Sequence, residues 1–512
     1  MDTNASTAPA GPAGDRAFFG HPRGLSTLFF TEMWERFSYY GLRAILILFM
    51  TASVASGGLG FDVAKAGAVY GTYVALVYMM GLPGGWVADK LLGLRKSVLV
   101  GGFLIMLGQL SLAVPGSGLF YPGLALIVLG TGLLKPNVSA IVGDLYGQED
   151  VRRDAGFSIF YMGINLGAFI SPLIVGWLAQ SDGFKTMLDG MGISPTTSWH
   201  WGFGVGAAGM ALGLVQYVLG WKYLGDAGKQ PSVAPDSPEG TRARKQFWLG
   251  AGGLAVLIGA VAVLVMRGVL SVQAVTDAFT WLYAVIVVVF FAVLFALGNW
   301  TREERKRLIV IVVLFLGASV FWSAFEQAAS TLNLFARDNT NNTVFGWAFP
   351  SSWFQSVNAL MIIALAPVFA WLWVWLGKRD PSSPTKFSFG LLFVGLGFVV
   401  MVGAGAASAG GVRVSPMWLV ITYLLHTIGE LCLSPVGLSA MTKLAPERVK
   451  GMMMGVWFLA ASVGNLIAGR VTGLYESFSL TQVFGAVAAF AIVAGIVMAL
   501  LIRPIRNMLA RD

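Results

Sequence analysis

The densest chemistry in the chain lies in one short stretch, Thr31-Glu32-Met-Trp-Glu35-Arg36-Phe37-Ser-Tyr39-Tyr40-Gly-Leu-Arg43. Positions 32, 36, 39/40 and 43 recur every three or four residues, so on a helix they share a face, with Glu35 at its edge. That face presents two carboxylates, two guanidiniums and two phenols, a set able to bind a zwitterion or to pass a proton. Three more ionisable residues stand in otherwise apolar surroundings. Lys135 lies in Gly130-Thr-Gly-Leu-Leu-Lys135-Pro136-Asn137, Glu326 in Phe321-Trp322-Ser-Ala-Phe325-Glu326-Gln327, and Glu430 in His426-Thr-Ile-Gly429-Glu430-Leu-Cys-Leu-Ser434-Pro435. Inside a membrane span such residues cost roughly 2.5–3.5 kcal/mol each and face a protein interior or a wet cavity. A helix end snorkelling to the membrane surface could explain Glu32. It cannot explain Arg43, roughly 15–20 Å further along at 1.5 Å per residue.

The deep cations Arg36, Arg43 and Lys135 come from the first half of the chain, and the deepest carboxylates, Glu326 and Glu430, from the second. Buried glutamates are natural proton sites, and ion pairs between halves that form and break suit a two-state gate. Tyr78, Asn165, Asn358, Gln355 and Ser434 are polar neutrals for the same cavity. Trp322 and Trp457 either line pockets or simply pack. His426, four residues before Glu430, reads as a structurally satisfied histidine. Arg470 lies deep with no partner nearby in sequence, is free to snorkel outward, and has no assigned role. A short peptide needs a cation for its carboxylate, an anion for its ammonium and adaptable walls between. This set offers all three, although it would also serve other anions or zwitterions.

The elements that must carry these residues are membrane helices. The chain is 56% hydrophobic and 12% charged, with mean hydropathy +0.73, whereas a soluble protein is about 25% charged. Fourteen apolar segments are expected, at 27–53, 66–88, 97–114, 120–142, 155–178, 201–222, 246–266, 276–299, 308–335, 352–377, 388–407, 415–441, 450–474 and 481–502, each near the length that spans a bilayer. Of the 34 Lys and Arg, four lie inside spans. With the N-terminus in the cytoplasm, Lys65, Lys185, Arg267, Arg337 and Arg413 fall outside and the remaining 25 inside, which supports cytoplasmic termini and an even number of spans. The net charge of +9 therefore belongs to cytoplasmic loops and not to nucleic-acid binding. The expected organisation is a cytoplasmic tail over 1–26, a six-helix bundle over 27–222, a linker with two extra spans over 223–307, a second six-helix bundle over 308–502, and a tail over 503–512. The extra pair is bland and almost uncharged. No cleavable signal peptide is expected. Single Cys432 excludes an intramolecular disulfide, and no loop can hold a catalytic domain. There is no phosphate-loop motif and no metal-ligand spacing, and Gly204-Val-Gly206-Ala-Ala-Gly209 is a dinucleotide fingerprint lost in an apolar span. Ion-coupled or facilitated transport remains, with protons as the coupling ion and no cofactor.

Glu32-x-x-Glu35-Arg36-Phe37-x-Tyr39-Tyr40 resembles the first-helix signature of the proton-dependent oligopeptide transporter family, within the major facilitator superfamily. Gly84-Gly85-Trp-Val-Ala-Asp89, Phe157-Ser-Ile-Phe160-Tyr161-Met-Gly-Ile-Asn165-Leu-Gly167, Trp353-Phe-Gln355-Ser-Val-Asn358 and Gly429-Glu430-x3-Ser434-Pro435-Val-Gly437 resemble its further motifs. The extra helix pair is similar to that of bacterial members. The resemblance implies an all-α integral membrane protein with the major facilitator fold, fourteen helices, and a location in the bacterial inner membrane. It implies symport of di- and tripeptides with protons by a monomer in the lipid bilayer. Arg36 and Lys135 would hold the peptide carboxylate, with Tyr39, Tyr40 and Tyr78 lining the site (Tyr70 and Tyr73 being close alternatives to Tyr78). Asn165, Asn358 and Glu430 would hold the ammonium, with Ser434 beside them, and Trp322 and Trp457 would line side-chain pockets. Glu326 would take the proton and pair with Arg43 in one state. Glu32 and Glu35 would couple proton to peptide, and Lys135 would pair with Glu430 on rearrangement. Some animal members use a second-helix His; none is present over 66–88, so proton handling should rest on carboxylates. The competing readings are a superfamily carrier for nitrate or a drug, which the paired carboxylates disfavour, and a polytopic membrane enzyme, which would need a nucleophile or metal set. A signalling receptor would need longer tails.

Overall fold

The computed structural model describes residues 16–116, 118–147 and 150–509. Its helices are α1 (Arg23–Thr51), α2 (Val63–Met79), α3 (Gly81–Val87), α4 (Leu94–Ala113), α5 (Phe120–Asp144), α6 (Arg153–Gln180), α7 (Asp182–Gly190), α8 (Ser198–Gly220), α9 (Pro238–Met266), α10 (Val272–Leu297), α11 (Arg302–Phe325), α12 (Thr331–Asp338), α13 (Gln355–Leu376), α14 (Ser383–Ala407), α15 (Met417–Leu444), α16 (Lys450–Thr472) and α17 (Leu480–Leu509). One small hairpin, Thr343–Val344 with Trp347–Ala348, turns at Phe345-Gly346, both with positive φ. Twelve helical stretches among the described residues are long and apolar enough to cross a membrane. At 29 and 23 residues α1 and α16 also have the length, but α1 carries Arg23, Glu32, Glu35, Arg36 and Arg43.

Three segments differ from expectation. The span expected over 308–335 is broken into α11 and α12 by a 3-10 turn, Glu326–Ala329. The span over 66–88 is α2 followed by the separate α3, then a π turn at Ala88–Leu92. The last helix runs on to Leu509, so most of the tail expected from 503 is helical; residues 510–512, like 1–15 of the N-terminal tail, lie outside the described residues.

The chain forms two compact units. One holds the described residues up to Leu42, Met80–Ala179 and Thr197–Ala262; the other holds Arg43–Met79, Gln180–Thr196 and the described residues from Val263 on. In the first unit the core gathers Leu25 and Leu28 of α1, Val98 and Ile105 of α4, Leu134 and Val138 of α5, and Met210 and Tyr217 of α8. Hydrogen bonds then fix α1, because hydrocarbon surroundings give apolar packing little driving force of its own. Gln216 Nε2 donates to Thr27 O (2.9 Å) and Thr31 Oγ1 (2.7 Å), and Gln109 Nε2 donates to Ser38 O (3.1 Å) and Oγ (3.0 Å). Ser171 Oγ donates to Phe37 O. Ahead of α1, His21 Nδ1 meets Tyr146 OH at 2.9 Å and Arg152 Nη1 donates to Gly20 O. Hydrogen bonds from Arg152 hold the Asp150 carboxyl down at about 2, and burial, then the Arg152 charge, lowers the His21 imidazole.

In the second unit the core is aromatic, with Phe321, Phe335, Phe387, Phe398 and Phe484 fully or nearly fully buried. The C-terminal end of α1, from Arg43 on, belongs here. Asn333 Nδ2 of α12 donates to Ala44 O at 2.8 Å, and Arg337 Nη1 to Thr51 Oγ1 at 2.7 Å. Helices α2 and α16 meet at glycines: a Cβ on Gly469 would lie 2.5 Å from Gly67 O and 2.8 Å from Gly71 Cα.

Gly84 and Gly85 of the Gly84-Gly85-Trp-Val-Ala-Asp89 motif stand side by side in α3 but differ in space. A Cβ on Gly84 would lie 1.9 Å from Gly132 O of α5, whereas one on Gly85 meets nothing within 4 Å. Gly84→Ala is therefore expected to overpack the α3–α5 contact at a cost of roughly 1–3 kcal/mol, and Gly85→Ala to be nearly neutral. Thermal unfolding of the two detergent-solubilised variants checks this; equal melting temperatures would remove the close-approach explanation.

Candidate functional site

In the first unit the signature face of α1 is a buried charge cluster. Arg36 Nε lies 3.0 Å from Glu32 Oε1 and 2.5 Å from Glu35 Oε2, with all three side chains at most 4% exposed. Glu35, placed at the edge of the face by periodicity, is thus a full member. The Arg36 guanidinium also stands 5.1 Å from the centre of the Tyr39 ring, and Tyr39 packs edge-on against Tyr40 at 5.2 Å. Lys135 on α5 lies within electrostatic reach of the Glu32 carboxylate. The cluster holds its depth because α6 presses on α1 through small residues. A Cβ on Gly167 would lie 2.3 Å from Met33 O and 3.0 Å from Arg36 Cβ. Two residues before Gly167, Asn165 is buried and donates to Tyr161 O at 3.0 Å. Pro136, inside α5, cannot donate to the preceding turn, and next to it Asn137 Nδ2 caps Leu133 O at 2.6 Å.

In the second unit Arg43 Nη2 meets Glu326 Oε2 at 2.8 Å, the partners 11% and 4% exposed. The expected pairing of these two residues is present. Glu326 opens the 3-10 turn that ends α11, and that break frees carbonyls at depth, where each must be satisfied from within the protein. Ala328 O accepts from Gln355 Nε2 (2.5 Å) and Tyr423 OH (3.3 Å). Gln327 Nε2 donates to Ser323 O (3.2 Å) and Ala468 O (3.4 Å), and its Oε1 accepts from Thr331 Oγ1 at 2.8 Å. Glu430 on α15 is reached by Asn358 of α13, whose Nδ2 donates to Glu430 Oε2 at 3.0 Å and to Thr427 Oγ1 at 3.0 Å. Arg43 and Glu326 both lie within electrostatic reach of Glu430.

The remaining candidates of this unit are more varied. Trp322 is 9% exposed, and its Nε1 has no hydrogen-bond partner among the described residues. Trp457 packs into the core against Phe387, and a Cβ on Gly437 would lie 2.2 Å from its ring, so the last glycine of the Gly429–Gly437 motif makes room for it. Tyr78 is half-buried and stacks with Phe458, while Tyr70 and Tyr73 are buried. Ser434 is half-buried. His426 is buried against Phe398 and Phe325. Three residues escaped sequence reasoning here: Gln327, Tyr423 and Thr427. All are neutral, so the intramembrane-charge rule does not flag them.

Arg470 does not snorkel. Its guanidinium pairs with Asp277 of α10 and donates to Thr276 O (2.8 Å) and Thr280 Oγ1 (2.6 Å). A second fastening lies on the same helix. Tyr283 OH donates to Ser462 Oγ at 2.5 Å, which donates to Ala75 O of α2 at 2.9 Å. The segment over 276–299 is thus not bland. Asp277, a carboxylate in a long apolar run, was the signal that could have found this contact.

A family model for the POT family matches residues 95–490, more than half of the chain. The chain belongs to the POT family. It is 44% identical to peptide transporter YePEPT of Yersinia enterocolitica, covering 99% of this chain and 98% of that one. It is 37% identical to a di-/tripeptide transporter of Lactococcus lactis subsp. cremoris, covering 97% and 98%. A solved peptide transporter POT in complex with sulfate superposes with TM-score 0.88 at 45% identity, over 96% of this chain and 97% of that one. A POT family transporter in complex with a thioalcohol conjugated peptide gives 0.86 at 37%, over 96% and 98%. POT membership makes this a multi-span membrane transporter with the major facilitator fold, and not an enzyme.

If the Arg470–Asp277 contact holds α10 to α16, alanine at either position lowers thermal stability and the two losses are not additive. A coupling energy of roughly 0.5–2 kcal/mol is expected from the double-mutant cycle in detergent. Strict additivity would make the contact incidental.

Proposed function

We propose that this POT-family chain is a symporter that imports di- and tripeptides together with protons by alternating access. One observation carries the reading: in the second unit Arg43 is opposed by two deep carboxylates, Glu326 and Glu430. The surplus negative charge calls for a proton or an ammonium group, and a peptide carrier handles both. Relatives named as peptide and di-/tripeptide transporters support the substrate class.

The roles follow the chemistry of each group. Arg36 and Lys135 take the peptide carboxylate, and Tyr39, Tyr40 and Tyr78 line the site. Asn165, Asn358, Glu430 and Ser434 take the ammonium end, and Trp322 and Trp457 contact side chains. Glu326 takes the proton, which releases Arg43. Glu32 and Glu35 hold or release Arg36 and so couple proton to peptide, and Lys135 turns to Glu430 on rearrangement. We further assign α1 and α16 as spans, for fourteen in all. The working division is two bundles, 27–222 and 308–502, joined by the linker 223–307. The protein acts as a monomer in the bilayer of the bacterial inner membrane, with both termini cytoplasmic, which the distribution of Lys and Arg supports.

Uptake of labelled dialanine into proteoliposomes tests the reading. Accumulation should require an inward proton gradient and be competed by mixed di- and tripeptides; uptake indifferent to the gradient would refute symport. Glu326→Gln should abolish gradient-driven accumulation yet leave peptide exchange near the wild-type rate. Surviving accumulation would move the coupling site elsewhere. Arg36→Ala should weaken dipeptide binding by roughly tenfold or more, the scale of a lost charge-assisted hydrogen bond, and barely affect an analogue lacking the carboxylate. Equal loss for both would cancel the carboxylate assignment.

A further inference from the structure

Asn358 Nδ2 meets two acceptors one turn apart on α15, and together they constrain its amide. Thr427 Oγ1 donates its single hydrogen to Tyr423 O, one turn back on α15, at 2.7 Å. Toward Asn358, 3.0 Å away, that hydroxyl can therefore only accept. The Glu430 carboxylate, when ionised, also only accepts, again at 3.0 Å. Both amide hydrogens of Asn358 are engaged, and the opposite flip would set its carbonyl oxygen against two acceptors. The hydrogen-bond network thus fixes which end of the amide is which, independent of how the atoms are labelled.

We propose that Thr427 is a positioning residue for the peptide ammonium. It holds the Asn358 amide so that its carbonyl oxygen, next to the Glu430 carboxylate, is presented to the substrate. Two oxygen acceptors side by side suit a primary ammonium, which carries only donors. The proposal rests on the assignment of Asn358 and Glu430 to the ammonium end. Thr427 matters most when a proton resides on Glu430. A protonated carboxyl can donate, so Glu430 alone would then tolerate a flipped amide with its carbonyl turned away from the substrate. Thr427 disfavours the flip in either protonation state, because its hydrogen would have to leave Tyr423 O to meet a flipped carbonyl. Its complete burial keeps water from replacing it.

The test uses the full-length transporter in proteoliposomes and two competitors of labelled dialanine uptake: alanylalanine and its analogue without the amino group. Wild type should prefer the free-amino ligand. In Thr427→Val, which keeps the side-chain shape, the half-inhibitory concentration of alanylalanine should rise roughly tenfold toward that of the analogue, the analogue itself staying unchanged, and Thr427→Ser should restore the preference. Should the valine variant fail to fold, Thr427→Ala gives the same reading. Full preference retained without the hydroxyl, or equal loss for both ligands, overturns the positioning role while leaving the ammonium site intact. A wild type that does not distinguish the two ligands overturns the ammonium assignment and, with it, this proposal.

Discussion

An ionised side chain carried to the depth of the hydrocarbon must meet an opposite charge, a proton or a wet cavity, and the placement of every deep group in this chain follows from that. Leaving a charge uncompensated in a low-dielectric interior costs several kcal/mol even after relaxation. In the first unit Glu32 and Glu35 face Arg36 at 3.0 and 2.5 Å, and Lys135 lies within reach, so two carboxylates meet two cations. Buried pairs of this kind add little to stability compared with apolar residues of the same shape. Their value is that they can exchange partners: on the proposed reading, a peptide carboxylate at Arg36 would compete directly with Glu32 and Glu35.

The second unit adds a backbone constraint to the charge constraint. A continuous α11 would bury every carbonyl in its own ladder. Ending it at Phe325 instead exposes Ala328 O and its neighbours at a depth where no water satisfies them cheaply. Gln355 and Tyr423 take Ala328 O, and Gln327 ties the turn to Ser323 and Ala468. The break puts Glu326 on a short turn held by side chains from α13 and α15, with Arg43 opposite. A carboxylate so placed can respond to changes in either helix, which one set in mid-helix could not.

Much of this could be read in the sequence because charge in an apolar run is conspicuous. Arg36, Arg43, Lys135, Glu326 and Glu430 stand out by type alone, and the three-to-four-residue spacing from Glu32 to Arg43 gives the face. The break after Phe325 could not be read, since Gln327-Ala-Ala-Ser330 contains neither Gly nor Pro. Its cause is tertiary: Tyr423 lies 95 residues from Ala328. Arg470 and Asp277 are likewise 193 residues apart, too far for local spacing to connect them. Gly437 could be matched to a motif, but only the structure gives its reason, the ring of Trp457. Thr427 is a neutral residue in a helix, and nothing in its local sequence sets it apart from a threonine that simply bonds back to its own turn.

Charge balance also narrows which substrates this set of residues accepts. Within the second unit Arg43 stands against Glu326 and Glu430, while Arg470 and Asp277 cancel each other. One positive charge is wanting. A zwitterionic peptide brings none, whatever its length, so its carrier must draw that charge from a proton. A singly charged cation would supply the missing charge itself and make the proton redundant. An anion such as nitrate would deepen the deficit to two. Among these cases only the zwitterion leaves a demand that a single proton meets, so on the proposed reading the proton would belong to the loaded state. Peptide and proton would then be linked through a shared electrostatic deficit, and by reciprocity each would strengthen the binding of the other without any contact between them.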